Sequence, residues 1–294
     1  MRRLTIRQMT QITGLGIHSG DPVTLKCLPA PVGTGLEFRT PRRNDGTIQV
    51  SPFNVVETVN AVTLANRNWR IQTVEHLLAA LAGLGITDLI MEIDAQEIPI
   101  MDGSALPFMQ ALEDAGLQEL DAFIEPISIT NPVWVVDGDK YLVALPADTY
   151  RATYSIDFDH PLLRGQSISI DLSPENLREQ ILHARTFGFL RDVEAMKARG
   201  LIRGASLDNA VVLTEDGFMN ESLRYPDECV RHKVLDLVGD LYLLGRPLNA
   251  HIIASRAGHA LDVALARKIQ TQAAMDELAS LRKDRLRLVA TTAP

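Results

Sequence analysis

The chain has 294 residues, 37 acidic against 29 basic side chains for a formal charge of −8, 46% hydrophobic residues and two cysteines. At about 150 residues per domain, that length makes room for two domains, each able to bury a core of its own. The acidic balance excludes general nucleic-acid binding and stable attachment to a membrane surface, because both need a positive field over one face.

In chain order, Met1 to Gln8 carry cations but no apolar stretch of the kind a secretory signal needs. Val23 to Leu28 alternates as a half-buried strand does. Cys27 and Cys229 form no paired spacing, so neither a disulfide framework nor a thiolate metal cage is expected, and the compartment is read as the reducing cytoplasm. From Thr73 to Gly83 the residues Val74, Leu77, Leu78 and Leu81 fall at helical spacing, and Gly83 and Gly85 suit the exit. The apolar run Leu77 to Ile86 is about half a membrane span. Leu89 to Ile93 reads as a strand and Leu106 to Ala115 as a helix ending at Gly116.

Pro126 and Asn131-Pro132 then punctuate a new series of strands, Val133 to Val136, Tyr141 to Leu145 and Thr153 to Phe158. This places a domain boundary near residue 125, with one domain over 1–125 and the other over 126–294. The second half continues with a helix from Pro174, an irregular stretch from Arg199 to Ser206, a long helix from about Asp227 to Leu244, a strand from Ala250 to Ser255 and a final helix from about His259. Both halves read as strands followed by helices, an α+β arrangement. Gly-Leu-Gly-Ile occurs at 14–17 and again at 83–86, a repeat too short to indicate duplication. The basic end from Arg282 to Arg287 reads as a solvated helix face.

Three stretches carry candidate chemistry. His232 and Asp236 stand four apart on the long helix, so both point from one face and can reach one metal ion, as in hydrolytic zinc sites; the same spacing serves a surface hydrogen-bonded pair. Asp240 lies one turn further along. Glu75-His76 sits on an otherwise apolar helix, where ionisable groups need partners or a cleft. Neighbouring helical positions diverge by about 100°, which suits a division of labour: His76 as ligand, Glu75 handling a proton. Equally, Glu75 suits a helix N-terminus through the macrodipole. Gly258-His259-Ala260-Leu261 puts a histidine at a strand–helix junction, where it can enter a cleft or serve as a cap.

Thr13-Gly14-Leu15-Gly16-Ile17-His18-Ser19-Gly20, Thr73-Val74-Glu75-His76-Leu77, Ile98-Pro99-Ile100-Met101-Asp102-Gly103-Ser104, Ala184-Arg185-Thr186-Phe187-Gly188-Phe189, Val230 to Asp236 and Gly258 to Leu261 together resemble the UDP-3-O-acyl-N-acetylglucosamine deacetylases of lipid A biosynthesis. The resemblance runs through nearly the whole chain with the motifs in family order. It implies two α+β domains, each a β-sheet packed on two helices with a small insert, the helices sandwiched between the sheets. It also implies one catalytic zinc ion held by His76, His232 and Asp236, with Glu75 taking the proton of the attacking water. The Thr186 hydroxyl would stabilise the oxyanion, and Asp240 would orient His259. Either His259 or Glu75 would protonate the leaving amine.

By the same resemblance Lys233 would contact the substrate, and Lys140 and Arg256 would lie near its diphosphate, Arg256 standing where the family often has lysine. Phe158, flanked by Asp157 and joined by Phe187, would form the platform for uracil, with a plain core role for Phe158 as the other reading. The stretch from about 190 to 212, including Leu190, Val193, Leu201, Ile202, Ala210 and Val212, would form the acyl passage; Arg203 and Asn209 are polar departures there. His18 would lie near the site, and His183 and His251 would be structural. The expected activity is hydrolysis of the N-acetyl group of a UDP-3-O-(3-hydroxyacyl)-N-acetylglucosamine by a monomer. The alternatives are a zinc amidase on another acetylated nucleotide sugar and an inactive nucleotide-sugar binder, the latter having no need of Glu75.

Overall fold

A computed structural model of the chain describes residues 1–42 and 44–291, side chains included through residue 279. Two five-stranded sheets organise it. The first runs in the order Thr10–Leu15, Pro22–Pro29, Leu89–Ile93, Leu36–Arg39, Thr47–Gln49; the second runs Val133–Asp137, Lys140–Leu145, His251–Ser255, Arg151–Ile156, Gln166–Asp171. The pairing is the same in both. A hairpin places its second strand antiparallel to the central strand, which lies parallel to a third strand that itself pairs antiparallel with the outermost. The halves are therefore topological copies. The Gly-Leu-Gly-Ile repeat does not mark equivalent positions in them, since 14–17 leaves a strand whereas 83–86 leaves a helix.

A parallel pair needs a crossover between its strands, and a helix usually supplies it. Here helix α1 (Glu75–Leu84) lies in the crossover of the first sheet, followed after the central strand by α2 (Leu106–Asp114). In the second half, a single α turn, α3 (Pro174–Asn176), and α4 (Leu190–Ala198) precede the crossover helix α5 (Glu228–Leu241), and α6 (His259–Thr291) follows the central strand. Equivalent helices α1 and α5 thus cross one another between the sheets, and α2 and α6 flank them. The candidate ligands ride on those two crossover helices. Smaller elements decorate each half: a three-stranded sheet (Val55–Glu57, Thr63–Ala65, Arg70–Gln72) in the first, and α4 with the parallel pair Phe187–Phe189 and Val211–Leu213 in the second.

After Glu75 and His76, helix α1 is apolar, as a helix buried on most sides must be: Leu77, Leu78, Ala79, Ala80 and Leu81 are fully inaccessible. Leu77, Leu78 and Leu81 each contribute about 1.5–3 kcal/mol by leaving water. It stops at Gly85, whose left-handed backbone lets its N–H and that of Ile86 bond back to Ala82 and Leu81. One apolar cluster runs through both halves. At Gly239 of α5 the two helices are in close contact, so that a Cβ there would overlap the Glu75 carbonyl oxygen. Gly239→Ala is accordingly expected to cost about 1–3 kcal/mol of stability, the usual penalty of overpacking. It should also displace Glu75 and His76, lowering turnover by more than the stability loss accounts for; urea unfolding and steady-state rates on one preparation check both.

Several expected boundaries shift. The helix expected from Thr73 starts at Glu75, because Thr73 has φ 60°, outside the right-handed region. The strand expected over Thr153 to Phe158 spans Arg151–Ile156, and Phe158 turns out of the sheet. The helix expected from Pro174 is one α turn capped by Ser173, continuing as a wider π-type turn over Leu177–Ile181. The backbone of α6 includes Arg282 to Arg287, but their side chains lie outside the described residues. Both cysteines are free and buried, and burial pushes each thiol up to about 12. Among the described residues no helix is long and apolar enough to cross a membrane.

Candidate active site

Three cavities among the described residues are large enough to consider. One of about 730 Å³ is walled mainly by Leu4, Ala82, Leu117, Leu172 and Leu241, with Arg178 and Glu113 paired to each other. One of about 450 Å³, between Pro132–Trp134 and α6, has neither a carboxylate nor an imidazole in its wall. The third, about 410 Å³, holds the titratable cluster and is the candidate active site.

Its floor is the crossing of α1 and α5. His76 Nε2 and His232 Nε2 face Asp236 Oδ1 at 3.8 and 3.2 Å, with the two rings edge-on at 5.0 Å between centroids. Ligands at 2.0–2.1 Å around a tetrahedral ion stand about 3.4 Å apart, so these separations fit one zinc-sized ion. The set is two imidazoles and a carboxylate, all buried. The backbone carbonyl of Ala184 accepts a bond from His232 Nδ1 at 3.0 Å, which leaves the Nε2 lone pair facing the site. Burial lowers His76 to about 3, keeping it neutral as a ligand must be. Burial alone would raise Asp236, but His232 and Lys233, whose Nζ lies 2.7 Å from Oδ2, hold it well below the ordinary carboxylate range.

Beside this triad, at the buried N-terminus of α1, Glu75 accepts the Val62 N–H at 3.0 Å through Oε2 and faces His259 Nε2 at 3.9 Å through Oε1. Burial pushes its carboxyl up to about 8. His259, the first residue of α6, is fixed through Nδ1 by Asp240 Oδ2 at 2.7 Å. Thr186 enters from the segment ahead of Phe187–Phe189. Its N–H donates to Gly103 and its carbonyl accepts from Val211, both at 2.8 Å, so backbone bonds on two sides place the hydroxyl in the cavity wall.

That segment hangs on Glu228 at the start of α5. Its carboxylate accepts from the Arg185 backbone at 3.0 Å, from Arg185 Nε at 2.9 Å and Nη2 at 3.2 Å, and from the Arg224 N–H at 2.7 Å. Burial would raise its pKa, yet these bonds lower it. Because the folded value is depressed, the stabilisation is complete above the unfolded value of about 4.3 and is lost as pH falls through the folded one. Glu228→Gln should thus cost about 3 kcal/mol at neutral pH, the scale of breaking a buried pair. The gap from the parent should close progressively in denaturation curves taken at increasingly acid pH.

Of the residues expected on the substrate, Phe158, Phe187, Val193, Ile202, Ala210, Val212 and Lys233 line the cavity, and Leu201 does not. Phe158 sits 5.6 Å from both Phe187 and Phe189, in an aromatic cluster rather than alone. Leu190 does not line it: opening α4 at the surface, it is 44% exposed. Lys140, Asp157 and Arg256 also lie outside the wall, where Arg256 pairs with Asp139 and Asp157. Any diphosphate reaching Arg256 would compete with two carboxylates. The Asn209 amide bonds Gly204 O and the Ser206 N–H, shaping its own loop, and neither Asn209 nor Arg203 lines the cavity. His18 does line it, whereas His251 bonds Thr153 across the sheet.

Sequence reasoning missed Asn60, Thr73, Phe189, Asp192, Met196 and Ala205 in the wall. Asp192, Val193 and Met196 follow helical spacing along one face of α4, and Phe187 with Phe189 alternates about Gly188, signals that were present. Asn60 and Thr73 have positive φ, which no local pattern announces.

Comparison with known proteins gives the family. Residues 3–271 match the family model described as UDP-3-O-acyl N-acetylglycosamine deacetylase. Proteins named UDP-3-O-acyl-N-acetylglucosamine deacetylase are 56% identical in Leptospira biflexa serovar Patoc, over 98% of this chain and 96% of the relative. Those of Myxococcus xanthus and Acidithiobacillus ferrooxidans are 45% and 42% identical, over 96% and 92% of this chain and 90% of each relative. With matches of that extent, and a candidate metal-binding triad set on paired crossover helices, the chain belongs to the UDP-3-O-acyl-N-acetylglucosamine deacetylase family.

Proposed function

We propose that this chain hydrolyses the N-acetyl group of a UDP-3-O-(3-hydroxyacyl)-N-acetylglucosamine, releasing acetate at the committed step of lipid A biosynthesis. The observation that carries the reading is the pairing of Glu75 and His259, 3.9 Å apart, beside the His76–His232–Asp236 triad in a cavity with aromatic and aliphatic walls. The triad would hold one zinc ion, which when bound polarises the amide carbonyl and acidifies water.

The chain's own groups supply the rest. Glu75 accepts a proton from the attacking water as its oxygen bonds to the carbonyl carbon. The Thr186 hydroxyl donates to the oxyanion that develops. The C–N bond then breaks as the amine nitrogen receives a proton from His259 Nε2, the ring nitrogen left free by the bond to Asp240. Lys233 neutralises Asp236 and lines the cavity where a substrate oxygen can meet it. Phe158 and Phe187 offer a surface for a base, and Val193, Ile202 and Val212 an apolar wall for an acyl chain. Lys140 and Arg256 are the outlying cations for the diphosphate.

Division of the chain near residue 125 gives the first domain Glu75 and His76 and the second His232, Asp236 and His259, so neither alone completes the site. All of these come from one chain, which supports action as a monomer, and the two unpaired cysteines suit a reducing cytoplasm. Zinc-loaded protein incubated with the acylated and unacylated UDP-sugars, with acetate release followed, tests the reading. Release from the acylated substrate is expected, and failure to release acetate from it would overturn the proposal.

A further inference from the structure

Asp262 has no role in the chemistry above, yet it is completely buried behind His259. The two residues stand three apart on the first turn of α6, so they share a face, and that face meets Asp240 on α5. One ligand atom from each of Asp240, His259 and Asp262 falls within 4.8 Å of the other two. Asp240 spends Oδ2 on His259; its Oδ1 and both Asp262 oxygens are buried with no donor in reach. Three buried carboxylate oxygens without donors is an expensive arrangement unless the two groups satisfy each other. Two carboxyls in hydrogen-bonding contact do so when a single proton lies between them, as carboxylate dyads elsewhere show.

We propose that Asp262 is a positioning residue for the deacetylation: protonated, it donates to Asp240, which in turn accepts from His259 Nδ1, so that a buried Asp262–Asp240–His259 chain fixes the imidazole and aims Nε2 at the cavity. This rests on the reading of His259 as a catalytic residue. The pair then carries one negative charge rather than two, which is enough to hold the imidazole without accumulating charge in the core. The surroundings agree. Burial, with Asp236 adding, pushes Asp240 well above the ordinary carboxylate range, and burial with Asp240 pushes Asp262 up to about 8. Lys233 and Asp236 of α5 and His259 of α6 also act on Asp262. From the second sheet and the turn before it, Tyr154 and Tyr150 bring buried hydroxyls within its field. A second metal ion at these three residues is the competing arrangement, but it would strip His259 of its fixed bond to Asp240.

The test compares kcat, KM and metal content of zinc-loaded parent, Asp262→Asn, Asp262→Ala, Asp240→Ala and the double alanine variant. Asparagine can donate as the protonated acid does, so Asp262→Asn should stay within about three-fold of the parent. Asp262→Ala should lose about 10- to 100-fold in kcat, the scale of removing a group that orients another, with KM and zinc content little changed. If Asp262 acts only through Asp240, the double variant should be no slower than Asp240→Ala alone.

Asp262→Ala matching the parent, Asp262→Asn as slow as Asp262→Ala, or additive losses would each overturn the proposal, as would two metal ions per parent chain falling to one in Asp262→Asn. Should the alanine variant not fold, the asparagine variant still decides. An unchanged alkaline limb of kcat/KM supports the shared proton, whereas a limb displaced to lower pH means a full negative charge was lost and the proposal fails. Parent protein without deacetylase activity, or His259→Ala with full activity, would instead overturn the underlying reading.

Discussion

Replacing Glu75 by glutamine is expected to leave zinc content and substrate affinity near the parent's and to lower kcat by about 10²- to 10⁴-fold, the contribution of a positioned proton acceptor. The geometry separates the two functions of this side chain. Oε2 receives the Val62 N–H, a bond that the glutamine carbonyl keeps, so the entry to α1 and the placing of His76 survive. Oε1, toward His259, becomes an amide nitrogen that cannot take a proton. A carboxylate serving only the helix N-terminus would behave differently: glutamine there loses a few tenths of a kcal/mol of macrodipole interaction and hardly touches kcat. Equal kcat in parent and variant, with metal content matched, would therefore remove Glu75 from the chemistry. A raised KM at unchanged kcat would make it a binding group instead.

Glu75 could be singled out in the sequence because a charged pair stood in an apolar helical run, and His232 with Asp236 because four residues is one helical turn. Such signals are local. What the sequence concealed is the relation between the halves: α1 and α5 are equivalent crossover helices of two sheets with identical pairing. A sheet position asks only for alternating apolar residues, a demand that many sequences meet, so the shared topology leaves no letter repeat, and the visible Gly-Leu-Gly-Ile pair is unrelated to it. Three-residue strands such as Thr47–Gln49 and Val55–Glu57 are too short to display a period of two.

Asp262 was hidden for a third reason. An acidic residue in the first turn of a helix satisfies the macrodipole, an adequate explanation that stops the search. Only the burial of Asp262 against another carboxyl exposes the conflict. Leu190 shows the reverse: an apolar residue beside the Thr186–Phe189 motif reads as a wall, whereas the start of α4 leaves it at the surface.

The largest effect of all is expected at His76. His76→Ala should abolish both stoichiometric zinc and turnover, because the remaining His232 and Asp236 come from one face of one helix and offer an ion only two donors. The protein should still fold. His76 Nδ1 already lacks a partner, so no protein hydrogen bond is severed at that atom, and the lost side chain is the only packing removed. Metal and stability are linked, which supplies a readout independent of turnover. An ion that binds only the folded chain stabilises it by about 4 kcal/mol at a thousand-fold excess over its Kd. The parent's Tm should rise with added zinc and fall on chelation, whereas the variant's should stay flat under both treatments. A variant whose zinc content and zinc-dependent Tm equal the parent's would exclude His76 from the ligand set. The same experiment on His232→Ala asks whether both crossover helices are needed. If each variant alone loses the ion, the zinc joins the two halves of the chain, and the site exists only because α1 and α5 cross at Gly239.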